Sequence, residues 1–166
     1  MKTSALTASL LLSMLTVPPT FAARDAKVYP GSMAVRINSS QPTPKLSASS
    51  IFNPSSTQWL NVELPVIHDT IGHTIRNGWV KALDRHYSAD VSARLRSFYW
   101  SNTRDRFLGW WSARLYSAGS GNDAQTLSFP GVGSNSIAHY HYSCAIPPTY
   151  LGRKSGILSY YVREND

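Results

Sequence analysis

Arginine and aromatic side chains are concentrated between residues 94 and 116, where the chain reads RLRSFYWSNTRDRFLGWWSARLY. The stretch holds one acidic residue and five arginines, which are Arg94, Arg96, Arg104, Arg106 and Arg114. From residue 98 onward, seven of nineteen residues are aromatic. Guanidinium groups pair with phosphate, and exposed Trp and Tyr rings sit at lipid headgroups or stack on flat ligands. The stretch therefore predicts a surface that binds a membrane, a glycan or single-stranded nucleic acid.

Strand geometry separates the two adjacent tryptophans. On a β-strand Trp110 and Trp111 point to opposite faces, so one core cannot bury both rings. Within this stretch Phe107, Trp110 and Trp111 are predicted to enter the bound surface. Arg104 and Arg106 are predicted to attract phosphate, and Tyr99 and Tyr116 to line a headgroup or sugar site. The competing interpretation is a structural or assembly protein of the bacterial envelope, in which the same aromatics form the core.

Other candidate chemistry is weaker. His139 and His141 lie on one face of a predicted strand, where two imidazoles could bind the same metal ion. The spacing of the other histidines and acids in the sequence does not indicate which of them would be a third ligand. Cys144 has the opposite strand parity to both imidazoles and is predicted to be buried and inert. The acids Asp84, Asp90, Asp105 and Asp123 lie in turn-like or polar contexts and form no obvious catalytic pair. We therefore predict no enzymatic activity, no cofactor and no metal.

The first 22 residues read as a secretory signal. Lys2 supplies the positive charge, residues 5–17 an apolar stretch, and Thr20-Phe21-Ala22 a cleavage site. Cleavage would change the formal charge from +7 to +6. A secreted or periplasmic location follows, and it disfavours nucleic acid as a partner. With a single cysteine in the chain, an exported domain would be held together by packing without internal disulfides.

The mature chain, residues 23–166, is predicted to form one β-rich domain. Only 15% of the residues are charged, and 42% are hydrophobic. Short β-branched and aromatic runs alternate with turn clusters, which predicts seven strands and an antiparallel β-sandwich with one or two short flanking helices. The predicted strands are 33–38, 58–66, 91–100, 108–117, 124–129, 137–146 and 156–163. Residues 23–34 are expected to form a loose lead-in, and residues 38–57 to form loops around a short apolar segment.

Residues 67–87 carry two conflicting signals. Apolar residues recur at every fourth position from Ile67 to Tyr87, which is typical of a helix that Asp69 could cap. However, Asn77-Gly78 lies between two strand-like triplets and is a strong hairpin signal. Each glycine within a helix would cost about 1 kcal/mol, so the hairpin is slightly favoured.

Phe98 to Tyr116 resembles a segment of the actinoporins, the pore-forming cytolysins of sea anemones. That segment has the form F-S-x-P-Y-D-x-N-x-Y-x-N-W-W-x-x-R-x-Y and aligns here without a gap. The coinciding residues are Phe98, Trp110, Trp111, Arg114 and Tyr116. Phe107 stands where the family has a tyrosine. The match covers nineteen residues, little more than a tenth of the chain.

The resemblance implies a β-sandwich flanked by helices, shared with certain fungal fruit-body lectins, and an aromatic pocket for phosphocholine headgroups. It makes Phe107, Trp110 and Trp111 counterparts of membrane-facing aromatics. Tyr99 and Ser101 take the places of a serine and a proline of the headgroup pocket, while Arg106 replaces a tryptophan. Ser101 thereby joins the predicted lipid- or glycan-binding residues.

Pore formation is the part of the resemblance that this chain supports least. Actinoporins insert an N-terminal amphipathic helix, and a membrane-spanning helix needs about 20 residues. Here residues 23–33 are too few and include Pro30 and Gly31. Binding to lipid headgroups or glycans is therefore expected in preference to a pore. The expected partners are membrane lipid headgroups or glycans, and a homo-oligomer on membranes is a further expectation.

Overall fold

The computed structural model describes residues 26–68, 74–133 and 138–165. The predicted signal, residues 1–22, lies outside them. The described residues form twelve strands: β1 (Ala26–Pro30), β2 (Val35–Arg36), β3 (Lys45–Ser47), β4 (Ser50–Phe52), β5 (Leu60–Val66), β6 (Ile75–Leu83), β7 (Ser92–Ser101), β8 (Arg106–Trp111), β9 (Leu115–Tyr116), β10 (Ala124–Val132), β11 (His139–Ile146) and β12 (Gly156–Glu164). One turn of 3-10 helix, Gly31–Met33, is the helical element of the described residues.

The strands form two antiparallel sheets. Sheet A has the order β10-β6-β12-β4-β3, and β1 pairs with β12 beside β4. Sheet B has the order β2-β5-β11-β7-β8, and β9 continues along β7 beyond β8. The prediction of a mainly β, antiparallel sandwich is confirmed. The predicted flanking helices are represented, in the described ranges, by the single 3-10 turn.

The core lies between the two sheets because each strand alternates apolar and polar side chains. In β5, for example, Leu60, Val62 and Leu64 are fully buried, whereas Glu63 faces outward. The opposing sheet supplies residues such as Tyr160, whose ring packs edge-on against Tyr142 of β11 with centroids 6.0 Å apart. This inward alternation fixes which side chains of β7 and β8 remain outside.

Each predicted strand overlaps an observed one, but the region 108–117 is broken in two. β8 ends at Trp111 and β9 begins at Leu115. The buried Ser112 causes the break, because its hydroxyl accepts the Leu95 backbone N–H at 3.1 Å in place of a strand carbonyl. Four further strands, β1, β3, β4 and β6, lie where loops, a loose lead-in or the ambiguous segment were expected.

The predicted hairpin at Asn77-Gly78 is wrong, and so is a helix over the described part of residues 67–87. β6 runs unbroken through both residues and pairs with β10 and β12. Gly78 is required by packing: a Cβ there would overlap the Tyr142 hydroxyl and lie 2.6 Å from the Tyr161 carbonyl oxygen. That hydroxyl donates to the same carbonyl at 2.8 Å. Residues 69–73 of the ambiguous segment lie outside the described residues.

Gly78→Ala is expected to destabilise the fold by about 1–2 kcal/mol, because a methyl group must displace a buried tyrosine hydroxyl. Urea unfolding monitored by tryptophan fluorescence measures this loss. Gly121→Ala is the matched control, since its Cβ would meet only the Asp123 backbone nitrogen at 3.8 Å. Equal midpoints for the two variants would contradict the packing role of Gly78.

Candidate binding site

The arginine- and aromatic-rich stretch folds as a hairpin of β7 and β8. Ser101 pairs with Arg106 at its closed end, and Arg96 pairs with Trp111 at the other. The turn is closed by the Arg104 N–H, which donates to the Ser101 carbonyl at 3.2 Å. Asp105 has a φ of +47°, a left-handed conformation that aspartate tolerates better than most residues. β8 lies at the edge of sheet B, and none of its side chains is fully buried, so the hairpin has accessible side chains on both faces.

Register assigns the side chains of the hairpin to two faces. Residues directly opposite each other on antiparallel strands share a face. Trp110 lies opposite Ser97, which is buried, and Leu108 lies opposite Tyr99; these four point to the inner side of sheet B. Trp111 lies opposite Arg96 and points to the outer side. The predicted separation of the two adjacent tryptophans is confirmed.

On the inner side the hairpin forms an open cleft of about 530 Å³, here called the hairpin cleft. The rings of Tyr99 and Trp110 stack within it, with centroids 5.5 Å apart and planes 17° from parallel. Trp110 keeps 41% of its surface exposed. The lining residues are Tyr99, Ser101, Thr103, Arg104, Leu108, Gly109 and Trp110. The cleft therefore combines flat aromatic faces with hydroxyl and guanidinium donors.

On the outer side the half-buried Phe98 and three exposed rings form a second group, which we call the outer aromatic face: Phe98, Trp100, Phe107 and Trp111. Trp100 and Phe107 pack edge-to-face at 5.0 Å. Phe107 is 64% exposed and Trp111 is 58% exposed. The Arg96 guanidinium lies 5.4 Å from the centre of the Phe98 ring. These side chains form a surface of aromatic rings beside a guanidinium group.

The eight predicted binding residues are therefore divided. Tyr99, Ser101, Arg104 and Trp110 come together in the hairpin cleft. Phe107 and Trp111 belong to the outer aromatic face, because strand side chains alternate. Arg106 is exposed beside the turn, outside the residues that line the cleft. Tyr116 lies on β9 opposite Ser92, toward the far end of β7.

Sequence reasoning did not select Thr103 and Leu108 as members of the cleft. Leu108 is two residues from Trp110, so the strand alternation that separated the tryptophans also carries a signal for it. Thr103 lies in the turn, where no periodic pattern exists. Its place in the cleft follows only from the path of the turn in three dimensions.

The histidine and cysteine side chains of β11 are separated as the strand parity predicts. His139 and His141 lie on the outer side of sheet B, and Cys144 is buried in the core. Burial raises the pKa of the Cys144 thiol far above its ordinary value, which leaves it protonated and unreactive. Within the described ranges, no group of three His, Cys, Asp or Glu side chains is arranged to hold a metal ion.

The surroundings of His141, on the outer side of sheet B, lower the pKa of its imidazole. Its ring stacks on Phe98 with centroids 5.6 Å apart, and its Nε2 lies 3.6 Å from a Glu63 carboxylate oxygen. Burial lowers the pKa of His141 below its usual 6.5; Arg96 lowers it further, while Glu63 opposes the shift. The imidazole is therefore neutral at pH 7 in the folded protein.

A lowered folded-state pKa makes the unfolded chain bind a proton more readily, so acid weakens the fold. The contribution of His141 to the free energy of unfolding is fully present above pH 6.5. It is lost as the pH falls toward the pKa of His141 in the folded protein. We expect His141→Gln to flatten the decline in the free energy of unfolding between about pH 7 and pH 5. Urea titrations across this range measure the slope. His139→Gln, an exposed residue of the same strand, is expected to keep the wild-type slope, and an identical slope in His141→Gln would refute the assignment.

Comparisons with known proteins leave the family open. No protein-family model and no curated protein matches this chain. A solved structure that resembles it is the CBM36-1 domain of a multidomain xylanase from the hindgut metagenome of Trinervitermes trinervoides. The likeness covers 86% of this chain and 98% of that domain, with 5% sequence identity and a TM-score of 0.44.

No helix among the described residues is both long and apolar enough to cross a membrane. The function must therefore be argued from the side chains of this chain itself.

Proposed function

We propose that this chain is an exported, non-enzymatic glycan-binding β-sandwich that holds a sugar in the hairpin cleft. The observation that supports this most strongly is the near-parallel pair of Tyr99 and Trp110 rings lining an open cleft. A pyranose ring has one apolar C–H face, which packs on an aromatic ring as other flat, partly apolar surfaces do. Its hydroxyl groups need hydrogen-bond partners at the edges of that contact.

The polar rim of the cleft supplies such partners. Ser101 and Thr103 have hydroxyls that donate and accept, and Arg104 has five N–H donors. All three line the cleft beside the stacked rings. A concave site with apolar walls and a few polar groups is the usual form of a small-ligand site. In this arrangement the rings provide most of the contact area, and the rim sets the orientation of the sugar.

The interpretation of this aromatic cluster as core does not hold for its tryptophans. Trp110 and Trp111 keep 41% and 58% of their surfaces exposed, whereas the core contains other aromatics, such as Tyr142 and Tyr160. Exposing two large rings costs stability that a core position would have gained, at about 25 cal/mol per Å². Their exposure supports a role in contact with a ligand.

A lipid surface is the second candidate, and the outer aromatic face favours it. Phe107 and Trp111 are exposed, and Trp111 lies opposite Arg96, an arrangement that suits rings at headgroup depth with a guanidinium group on phosphate. In its strongest form this is the actinoporin-like cytolysin that the resemblance implies. The outer aromatic face and the hairpin cleft lie on opposite sides of sheet B, so the two candidates make separate predictions.

The deciding experiment compares glycans with vesicles. The mature chain, beginning at residue 23, is applied to a glycan array and to vesicles of phosphatidylcholine, alone or with sphingomyelin or phosphatidylserine. We expect saturable binding to at least one class of glycan, confirmed by calorimetry with the free oligosaccharide. Vesicle binding without glycan binding would reject the glycan proposal in favour of the second candidate, and dye release would then identify a pore former.

A further inference from the structure

A cluster of three cations lies on sheet A, away from the arginine- and aromatic-rich hairpin. Lys45 of β3, Arg85 just after β6 and Lys154 just before β12 surround a small pocket of about 160 Å³. Ser47 and Phe52 complete its lining. We call this the basic pocket. Its residues come from four separate segments, so no local sequence pattern reveals it.

The floor of the basic pocket is built by close packing of two strands. Lys45 lies opposite Phe52, and Phe52 lies opposite Gly156, in one row across sheet A. The Phe52 ring covers Gly156 so closely that a Cβ at residue 156 would lie 2.5 Å from its Cδ1 atom. The pocket therefore has an apolar base, with Lys45 and Ser47 on the same face of β3.

Buried hydrogen bonds join the Arg85 backbone to Ser155, the chain neighbour of Lys154. The Arg85 N–H donates to the Ser155 hydroxyl at 2.9 Å, and that hydroxyl donates to the Asp84 carboxylate at 3.2 Å. Asp84 and Ser155 are completely buried. Asp84 precedes Arg85 in the chain, and Ser155 follows Lys154. The two cations therefore extend from a backbone that buried hydrogen bonds hold in place and anchor to the core.

The charges of the basic pocket are unbalanced. Its lining contains three cations and no acid. None of the three forms an ion pair with another described residue, and the buried Nε of Arg85 has no hydrogen-bond partner there. Like charges held close together repel, and a buried N–H without an acceptor costs about 1–3 kcal/mol. An anion with several oxygen atoms would balance the charge of the three cations.

We propose that the basic pocket binds a compact oxyanion, a sulfate, phosphate or carboxylate group. Arg85 offers the fork of donors that matches two oxygen atoms, and the lysines add point charges from two sides. The volume suits one such group and is far smaller than the hairpin cleft. The group is either a free ion or a substituent of a larger acidic glycan. The site stands independently of the hairpin cleft.

The test is calorimetric titration of the mature chain with sodium sulfate and sodium phosphate, with ionic strength held constant by chloride. Saturable binding is expected, weakened about tenfold by Arg85→Gln, which removes one charge-assisted contact. Arg85→Gln together with Lys154→Gln is expected to abolish it. Lys81→Gln, which removes an exposed cation of β6 outside the pocket, is the matched control and is expected to bind as the wild type does.

Two outcomes overturn the proposal. One is the absence of saturable binding to either anion, and the other is equal binding by the wild type and the double variant. Circular dichroism and the Tm of each variant show whether it is folded, and Lys154→Gln alone provides a second measurement if Arg85→Gln is not. A general salt effect on stability would appear equally in every variant, so it cannot imitate the expected pattern.

The source of the anion is distinguished by two further titrations, with a sulfated oligosaccharide and with a uronic acid oligosaccharide. Binding about tenfold tighter than that of the inorganic ion identifies a polymer substituent, whereas equal or weaker binding identifies the free ion. Trp110→Ala is included because it alters the hairpin cleft alone. Unchanged anion binding in that variant is expected, and it keeps the basic pocket separate from the success or failure of the glycan proposal.

Discussion

Replacing Trp110 with alanine is expected to weaken glycan binding by about 2 kcal/mol, which is about thirtyfold in Kd. The indole forms one wall of the hairpin cleft and stacks on Tyr99 at 5.5 Å. Its removal takes away most of the flat apolar area on which a sugar would pack, and it also frees the Tyr99 ring to change orientation. Calorimetry with the oligosaccharide selected on the array measures the loss.

Trp111→Ala is the matched control for this prediction. It removes the same side chain from the next residue of the same strand, but from the outer side of sheet B. Its effect on glycan binding is expected to be less than about 0.5 kcal/mol, as for surface substitutions outside a site. If Trp111→Ala reduces glycan affinity and Trp110→Ala does not, the ligand lies on the outer aromatic face and the cleft assignment is wrong.

The two variants also separate a loss of contact from a loss of fold. Both rings are partly exposed, so neither substitution opens a cavity in the core. Trp110→Ala forfeits the ring pair with Tyr99, worth about 1 kcal/mol, and the protein is expected to remain folded. Equal far-ultraviolet circular dichroism, with a Tm lowered by a few degrees at most, is the required condition for interpreting the affinities.

Asp84→Ala is expected to destabilise the protein by about 3–5 kcal/mol, the largest effect on stability predicted for this chain. The buried carboxylate accepts the hydroxyls of Ser117 and Ser155 and the backbone N–H groups of His86 and Val91. Truncation leaves the Ser117 and Ser155 hydroxyls and the His86 N–H without this acceptor, whereas the Val91 N–H keeps the Ser117 hydroxyl at 2.8 Å. It also loosens the segments that follow β6 and precede β12, and the basic pocket is built on both.

Urea unfolding of Asp84→Ala measures this loss. Asp123→Ala is the control, because Asp123 is an exposed residue of the loop before β10. Its free energy of unfolding is expected to stay within about 0.5 kcal/mol of the wild type. A loss below about 1 kcal/mol for Asp84→Ala would show that water or local rearrangement satisfies the donors, and Asp84 would then not be the centre of this network.

Asp84 also shows where sequence reasoning stops. The sequence places Asp84 in a turn-like or polar context, whereas in the structure its carboxylate is completely buried. The partners that bury it, Ser117 and Ser155, are distant in sequence. Burial of a charged residue depends on such distant donors, which no local pattern displays. The misassignment of Asn77-Gly78 has the same origin, since the hydroxyl that requires Gly78 comes from Tyr142 on the other sheet.

The sequence by itself determined the sandwich, most strand positions and the opposite faces of Trp110 and Trp111. These follow from alternation with a period of two residues, which is a local property of an extended chain. Tertiary structure alone decided that Tyr99, Ser101, Arg104 and Trp110 share a cleft from which Phe107 and Tyr116 are absent. It alone brought Lys45, Arg85 and Lys154 together. The physical reason is that sheet order and turn paths place distant residues side by side, and both depend on packing across the whole core.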